Sequence, residues 1–341
     1  MKTRAIVLTV ALLIPRIPAH VSEAPRASVT AAAVESIGMT VSDMDRAIDF
    51  YTSVLTFEKA FDRELSGREY ELSTGVFGAR ARVVGLRLGS EVLELTEFLA
   101  PRGRPIPADL RANDLVFQHA ALIVSDMDRA YSRLRQHRVV HASSGPQRLP
   151  DWNVNAAGIR AFYFRDPDGH FLEVLQFPPG KGEARWHVND RLFLGIDHTA
   201  IVVGDTDRSL GLYHELLGFR VAGSSENYDI EQEHLNNVFG ARLRITTLRA
   251  GAGPGIELLE YLAPRDGRAA PVDLKATDLA HWQTTLIVPG AGALFDLASS
   301  RPPFALVSPR LATPDPSGGA AGLIRDPDGH GLRLVVKPAG D

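Results

Sequence analysis

The fold of this chain is decided by one stretch of sequence, Arg165-Asp166-Pro167-Asp168-Gly169-His170-Phe171-Leu172-Glu173. Its Asp-Pro-Asp-Gly core predicts a tight turn, because proline presets one backbone φ angle and glycine adopts a positive φ at little cost. The flanking runs, 161–164 and 171–177, are mostly aromatic and aliphatic, which predicts a β-hairpin. Glu173 places a carboxylate among apolar residues, where a buried charge requires a partner or a metal ion.

The same hairpin recurs near the C-terminus as Arg325-Asp326-Pro327-Asp328-Gly329-His330-Gly331-Leu332-Arg333. The two sequences differ at the position of Glu173, which is occupied by Arg333 in the second copy. We therefore expect the same backbone in both places but a carboxylate in only one of them. His170 and His330 follow the turn glycines and are expected to be loop residues.

The openings of the repeats are similar as well. In the first unit, strands are predicted over 34–41, 81–88 and 91–98, and an Asp residue that can cap a helix follows the first strand. The order strand, helix, strand, strand, strand then repeats along the chain, and its openings lie at 34–45, 117–130, 196–208 and 281–288. The repeat predicts an α+β protein of four βαβββ modules.

Composition limits the possible classes of protein. The chain has 341 residues, of which 45% are hydrophobic and 23% charged, as expected for a globular protein of about two domains. The net charge is −4 and no basic patch is present, which argues against a nucleic-acid partner. The sequence has no apolar run of about 20 residues, so no membrane-spanning helix is expected.

The N-terminus resembles a signal peptide for export. Lys2 and Arg4 precede an apolar run at 5–14, and small residues follow around 18–19. We therefore predict a signal peptide and spacer over 1–28 and a periplasmic location; a disordered start is the alternative. The rest divides into a first domain at 30–178 (modules 1 and 2), a linker at 179–193 and a second domain at 194–338 (modules 3 and 4).

These motifs resemble the vicinal oxygen chelate superfamily, which includes glyoxalase I, extradiol dioxygenases and bleomycin-resistance proteins. The resemblance rests on the Asp-x-x-Arg helix starts and on the Asp-Pro-Asp-Gly-x-x-x-Glu hairpin, and it covers about 30–338. It implies that two modules form a half-open cup of curved sheet with a divalent metal on its floor. It also implies one ligand position in each opening strand and one in each closing strand. In module order these positions are Ser36 and Glu94, His119 and Glu173, His198 and Glu257, and Gln283 and Arg333.

The sequence leaves two ways to pair the modules. In the first, neighbouring modules pair, which gives one cup with Ser36, Glu94, His119 and Glu173 and another with His198, Glu257, Gln283 and Arg333. Alternatively module 2 pairs with 3 and module 1 with 4, which collects His119, Glu173, His198 and Glu257 in one cup and Ser36, Glu94, Gln283 and Arg333 in the other. We favour the second pairing, because two imidazoles and two carboxylates form a credible site for a transition metal. In the other cup, Glu94 and Arg333 are expected to form a salt bridge.

The resemblance implies a function as well as a fold. We expect one divalent ion (Ni, Zn, Fe or Mn) and glyoxalase I-like proton-transfer chemistry, isomerase or lyase, on a small molecule with adjacent oxygens. Glu173 is the implied general base, and Glu257 is the symmetric candidate. An Fe(II) extradiol dioxygenase and a non-catalytic binding protein are the alternatives, the latter suggested by Arg333. Four modules in one chain allow a monomer or a homodimer.

Overall fold

A computed structural model describes residues 30–289, 304–308 and 320–336 of the protein. The predicted export signal over 1–28 lies outside these residues, and so does part of the predicted fourth module. Within the described residues, no helix is long and apolar enough to cross a membrane.

The described residues contain three of the predicted modules completely and the fourth in part, in chain order. The first contains β1 (Ala33–Thr40), α1 (Met44–Asp49), β2 (Glu58–Ser66), α2 (Arg68–Thr74), β3 (Arg80–Leu88) and β4 (Glu91–Ala100). The second contains β5 (Phe117–Val124), α3 (Met127–Gln136), β6 (Val140–His141), β7 (Gln147–Arg148), β8 (Arg160–Arg165) and β9 (Phe171–Gln176). The third contains β10 (Phe193–Val202), α4 (Thr206–Leu210), β11 (Arg220–Asn227), α5 (Ile230–Asn236), β12 (Arg242–Arg249) and β13 (Gly255–Ala263). The described part of the fourth contains β14 (Trp282–Ile287), β15 (Ala305–Leu306), β16 (Ala320–Arg325) and β17 (Gly331–Val336).

Local sequence chemistry explains where these elements begin and turn. The side chain of Asp126 accepts a hydrogen bond of 2.9 Å from the backbone N–H of Arg129 and so caps α3. Asp43 and Asp205 cap α1 and α4 in the same way. Gly169 and Gly329 occupy the two hairpin turns with φ angles of +97° and +99°. The predicted strands, caps and hairpins of the described modules are therefore confirmed.

The strands form two sheets, and each sheet combines modules that are not neighbours in sequence. The first sheet has the order β15-β16-β17-β14-β1-β4-β3-β2, and the second has the order β11-β12-β13-β10-β5-β9-β8-β6. Antiparallel pairing of β5 with β10 joins modules 2 and 3, while pairing of β1 with β14 joins modules 1 and 4. The halves 30–178 and 194–338 are thus repeats of the sequence, and each contributes one module to each cup.

Two crossover segments hold this exchanged arrangement together. The segments 101–116 and 264–281 connect the modules within each half and run beside each other. Arg268 donates to Asp114 at 2.6 Å, and Arg104 donates to Asp278 at 2.7 Å. Because each pair joins one half of the sequence to the other, these charge-assisted hydrogen bonds fix the two halves against each other.

One hydrophobic core extends through all four modules. Phe117 of module 2 stacks on Trp282 of module 4 with ring centroids 4.3 Å apart. His170 is only 1% exposed, and its Nε2 donates to the carbonyl of Leu279 at 2.8 Å. His330 makes the equivalent contact, 2.9 Å, to the carbonyl of Val202. The expectation that both histidines are loop residues is confirmed, and the structure adds that they are buried and link the two cups.

Candidate metal centre

The sheet register explains why the candidate ligands face one another. Ala121 of β5 pairs with Glu173 of β9, and Ala200 of β10 pairs with Glu257 of β13. Residues two apart on a strand share a face of the sheet, so each histidine lies on the face of its module's glutamate. The antiparallel contact between β5 and β10 then brings both modules onto one floor.

The four residues of modules 2 and 3 meet at this floor. His119 Nε2 lies 3.0 Å from Glu173 Oε2, and His198 Nε2 lies 3.6 Å from the same oxygen. His198 Nε2 also lies 3.4 Å from Glu257 Oε2. His119, Glu173 and His198 offer ligand atoms that all lie within 4.8 Å of one another. The side chain of Glu257 is the more open member at 19% exposed.

The cluster fits a divalent metal ion. His119 Nε2 and Glu173 Oε2 are buried, and apart from their close contacts within the cluster neither is hydrogen-bonded to any group in the part of the chain that the structure describes. Leaving such atoms unpaired away from water is costly, and a cation between them would remove the cost. Imidazole nitrogens and carboxylate oxygens are ligands of Zn, Fe, Ni and Mn. Metal binding by these residues remains a prediction, and the geometry agrees with it.

Each histidine is oriented by the residue directly before it. His198 Nδ1 donates to Asp197 Oδ2 at 2.9 Å, and Arg249 Nη2 donates to both Asp197 oxygens at 2.9 Å. His119 Nδ1 donates to Gln118 Oε1. These contacts place the Nδ1 proton and leave both Nε2 atoms facing the cluster, as metal-binding histidines require. Sequence reasoning missed these supports, although a polar residue immediately before each histidine was a readable signal.

The surrounding charges change how the centre titrates. Burial lowers the pKa of His198, but Glu257, Asp197 and Glu173 outweigh it and raise this pKa to about 9. Burial also raises the pKa of Asp197, yet the hydrogen bonds from His198 and Arg249 hold it well below its usual range. Because a cation binds the neutral form of an imidazole, these carboxylates are expected to make metal binding by His198 depend on pH.

A cavity of about 800 Å³ opens above the centre. Its wall is apolar along Leu149, Ile159 and Leu243 and polar along Asn155 and Gln232. Gln232 is 2% exposed, and its Oε1 lacks a hydrogen-bond partner among the described residues. A cavity of this size, lined by both apolar and polar side chains, can hold a small molecule.

The second cup, formed by modules 1 and 4, differs in its chemistry. Glu94, Gln283 and Arg333 line a cavity of about 230 Å³. Arg333 Nη1 lies 3.8 Å from Glu94 Oε1, so the expected ion pair is present, and Arg63 Nη2 lies 3.9 Å from the other oxygen. Ser36 lies buried in β1, outside the wall of this cavity, where the pairing with β14 shifts register between Val34 and Ser36. Of the four residues expected in this cup, the cavity therefore holds three.

The chain belongs to the Glyoxalase/Bleomycin resistance protein/Dioxygenase superfamily, whose sequence profile matches residues 33–174 and 195–290. This finding confirms the family resemblance inferred from the hairpin and the helix starts.

Individual proteins resemble the chain to different degrees. A 2-epi-5-epi-valiolone epimerase from an Actinomyces species is 35% identical over 155 residues, which are 44% of this chain and 82% of that protein. Glyoxalase I from Zea mays has a similar structure, with a TM-score of 0.56 and 16% identity over 91% of this chain and 92% of its own. A putative dioxygenase from Bacillus subtilis has a TM-score of 0.54 and a sequence identity of 14%. The match covers 91% of this chain and 87% of that protein. The two structures share the fold of the chain.

Proposed function

We propose that the protein is a metal-dependent epimerase or isomerase that moves a proton at a carbon next to a carbonyl group. The observation that carries this proposal is the cluster of His119, Glu173, His198 and Glu257 on the floor of a large cavity. The relative named as an epimerase supports the reaction class. The N-terminal pattern adds the proposal that the enzyme acts after export.

The two histidines and at least one carboxylate would hold the ion. An ion held there would supply Lewis-acid stabilisation of the negative charge that develops on a substrate oxygen when the neighbouring C–H bond is broken. The protein must then supply a group that accepts this proton. A carboxylate within reach of the bound substrate is suited to that role.

The two glutamates divide this work. Glu173 Oε2 lies between both imidazoles and is deeply buried, so it serves best as a ligand. Glu257 is more open, and Thr247 donates to its Oε1 at 2.8 Å, which positions it at the cavity wall. We propose that Glu257 exchanges the proton with substrate. Inversion of a stereocentre also needs a proton delivered to the opposite face, and Glu173 is the candidate donor in the state in which it is detached from the ion and protonated.

The cavity wall suggests a hydroxylated substrate. The unpaired Oε1 of Gln232 can accept a hydrogen bond, and Asn155 adds a second polar side chain to the same wall. A site with a buried acceptor rejects molecules that cannot satisfy it. We therefore propose a small polyhydroxylated carbonyl compound, whose adjacent oxygens reach the metal and whose remote hydroxyl reaches Gln232.

Metal content tests the centre. His119→Ala and His198→Ala should each lower the amount of bound metal measured by elemental analysis, because both imidazoles bind one ion. Gln283→Ala is the matched control, since Gln283 pairs with Gly38 across β14 and β1 as His119 pairs with Ala200 across β5 and β10, and so holds the position of His119 in the other cup. Full metal content in either histidine variant, or equal loss in the control, would contradict the shared site.

Isotope exchange tests the chemistry. The metal-loaded protein should catalyse exchange of the C–H proton of hydroxylated ketones with deuterium from D₂O, measured by NMR. Glu257→Gln should slow this exchange by about 10²-fold or more, the usual contribution of a general base. An unchanged rate in this variant would exclude Glu257 as the base.

A dioxygenase is the second candidate, because the most compact group is two histidines and one carboxylate, the ligand set of non-haem Fe(II) oxygenases. Oxygen consumption by the Fe(II)-loaded protein with a catechol, without proton exchange on ketones, would favour this function over epimerisation.

A further inference from the structure

We propose that the second cup, formed by modules 1 and 4, is a separate binding site for a compact organic monocarboxylate and needs no metal. Its cavity of about 230 Å³ is smaller than the first and is built from different chemistry. The proposal does not depend on the reaction assigned to the first cup.

The floor of this cavity carries two guanidinium groups around one carboxylate. Arg63 and Arg333 approach opposite oxygens of Glu94 at 3.9 and 3.8 Å, which is ion-pair distance but longer than a hydrogen bond. Two cationic side chains therefore flank one carboxylate at this floor. His281 adds no charge, because burial lowers its pKa to about 3. Glu69 also borders the cavity, but it is exposed to solvent, which screens its charge.

Buried polar atoms in this wall lack partners. Arg63 Nε is buried and has no hydrogen-bond partner within the described ranges. His281 is 3% exposed, and its Nδ1 is likewise unpaired among the residues described. The Arg63 side chain is 36% exposed as a whole, but a buried donor atom that lacks a partner still carries a desolvation penalty. A ligand carboxylate on Arg63 would remove that penalty, because guanidinium and carboxylate form strong charge-assisted hydrogen bonds.

The rest of the wall suits an apolar body. Leu65 and Val83 line the cavity together with Tyr70 and Phe98, whose rings stack with centroids 6.3 Å apart. Ser73 and Thr74 lie at the same wall. An anionic group at the floor and a small aromatic or aliphatic body along these side chains therefore match the cavity.

Benzoate and its neutral analogue benzamide test the proposal by isothermal titration calorimetry on the full chain. We expect benzoate to bind at one site and benzamide to bind at least about tenfold more weakly, because only benzoate pairs with the guanidinium groups. Arg63→Met and Arg333→Met should each weaken benzoate binding by about tenfold and leave metal content unchanged.

A control separates this site from the first cup. His119→Ala removes a candidate metal ligand, and it should leave benzoate affinity unchanged. Loss of benzoate binding in His119→Ala would place the anion in the first cup and overturn the proposal. Equal binding of benzamide and benzoate would also overturn it, as would wild-type affinity in both arginine variants or no benzoate binding at millimolar concentration. Thermal melts of each variant verify that the fold is intact.

Discussion

Replacing Asp197 by asparagine tests whether the residue behind His198 controls the metal centre. Asp197 is 4% exposed and accepts hydrogen bonds from His198, from Arg249 and, at 3.1 Å, from Trp186 Nε1. Asparagine retains the size of the side chain but replaces one acceptor oxygen by an NH₂ group. The charge that holds the Nδ1 proton on His198 is then lost, and an N–H group must face either His198 or Arg249.

The expected magnitude follows from these contacts. Loss of an orienting partner of a metal-binding histidine typically weakens metal affinity by about 10- to 100-fold. This corresponds to about 1.4–2.7 kcal/mol at one decade per 1.36 kcal/mol. Removing one partner of a fully buried ion pair costs about 3–5 kcal/mol of stability. Since the side chain of Arg249 is 21% exposed, we expect a smaller loss, about 2 kcal/mol.

The assay is a competition titration of Zn²⁺ or Ni²⁺ against a chromophoric chelator, together with urea unfolding. Asp278→Asn is the matched control, because Asp278 is 4% exposed at its side chain and pairs with Arg104, but it lies in a crossover segment. We expect both variants to lose stability and only Asp197→Asn to lose metal affinity. Wild-type affinity in Asp197→Asn, or an equal loss in the control, would refute the reasoning.

Three further outcomes are expected. The pKa of buried His170 is raised, because Asp166 outweighs the opposing effect of burial. The stabilisation that protonated His170 gives to the folded state is therefore complete below about pH 6.5, and it disappears as the pH rises through the raised pKa. The difference in unfolding free energy between wild type and His170→Gln should therefore shrink from neutral to alkaline pH in urea titrations, and a constant difference would refute this. Gly169→Ala should lower the free energy of unfolding by about 1 kcal/mol. The nearest atoms lie 4.0 Å from an added Cβ, so only the φ of +97° opposes the substitution. Gly223 has an ordinary φ and open space around it, so Gly223→Ala should leave the free energy of unfolding nearly unchanged. Removal of metal by a chelator should lower the melting temperature. If the free ion had been present at 100 times its Kd, the free energy of unfolding should fall by about 2.7 kcal/mol. An unchanged melting temperature would argue against a resident ion.

The two cups show how a repeated module diverges. The register of opening and closing strands is the same in both, since Gly38 pairs with Glu94 and Thr285 with Arg333, as the corresponding residues do in the first cup. In the strands that the structure describes, the cups differ at the ligand positions by their side chains. The position of Glu173 in the first cup is occupied by Arg333 in the second, which is the basis for proposing a cation site in one and an anion site in the other.

The sequence by itself determined the local structure and the family. The Asp-Pro-Asp-Gly turns and the capping aspartates act through neighbouring backbone groups, so their effect is readable within a few residues. The repeat then identified His119 and His198 as equivalent positions. The repeat could not decide between the two module pairings, because the connecting segments 101–116 and 264–281 are long enough for either one.

Only the tertiary structure decided which modules share a cup and which side chains complete each site. The pairing of β5 with β10 brings together residues about eighty positions apart, and no local pattern encodes such a contact. Arg249 reaches Asp197, and Arg63 reaches Glu94, by the same long-range packing. These contacts depend on how the sheets curve and where strands end, so they become visible only when the chain is folded.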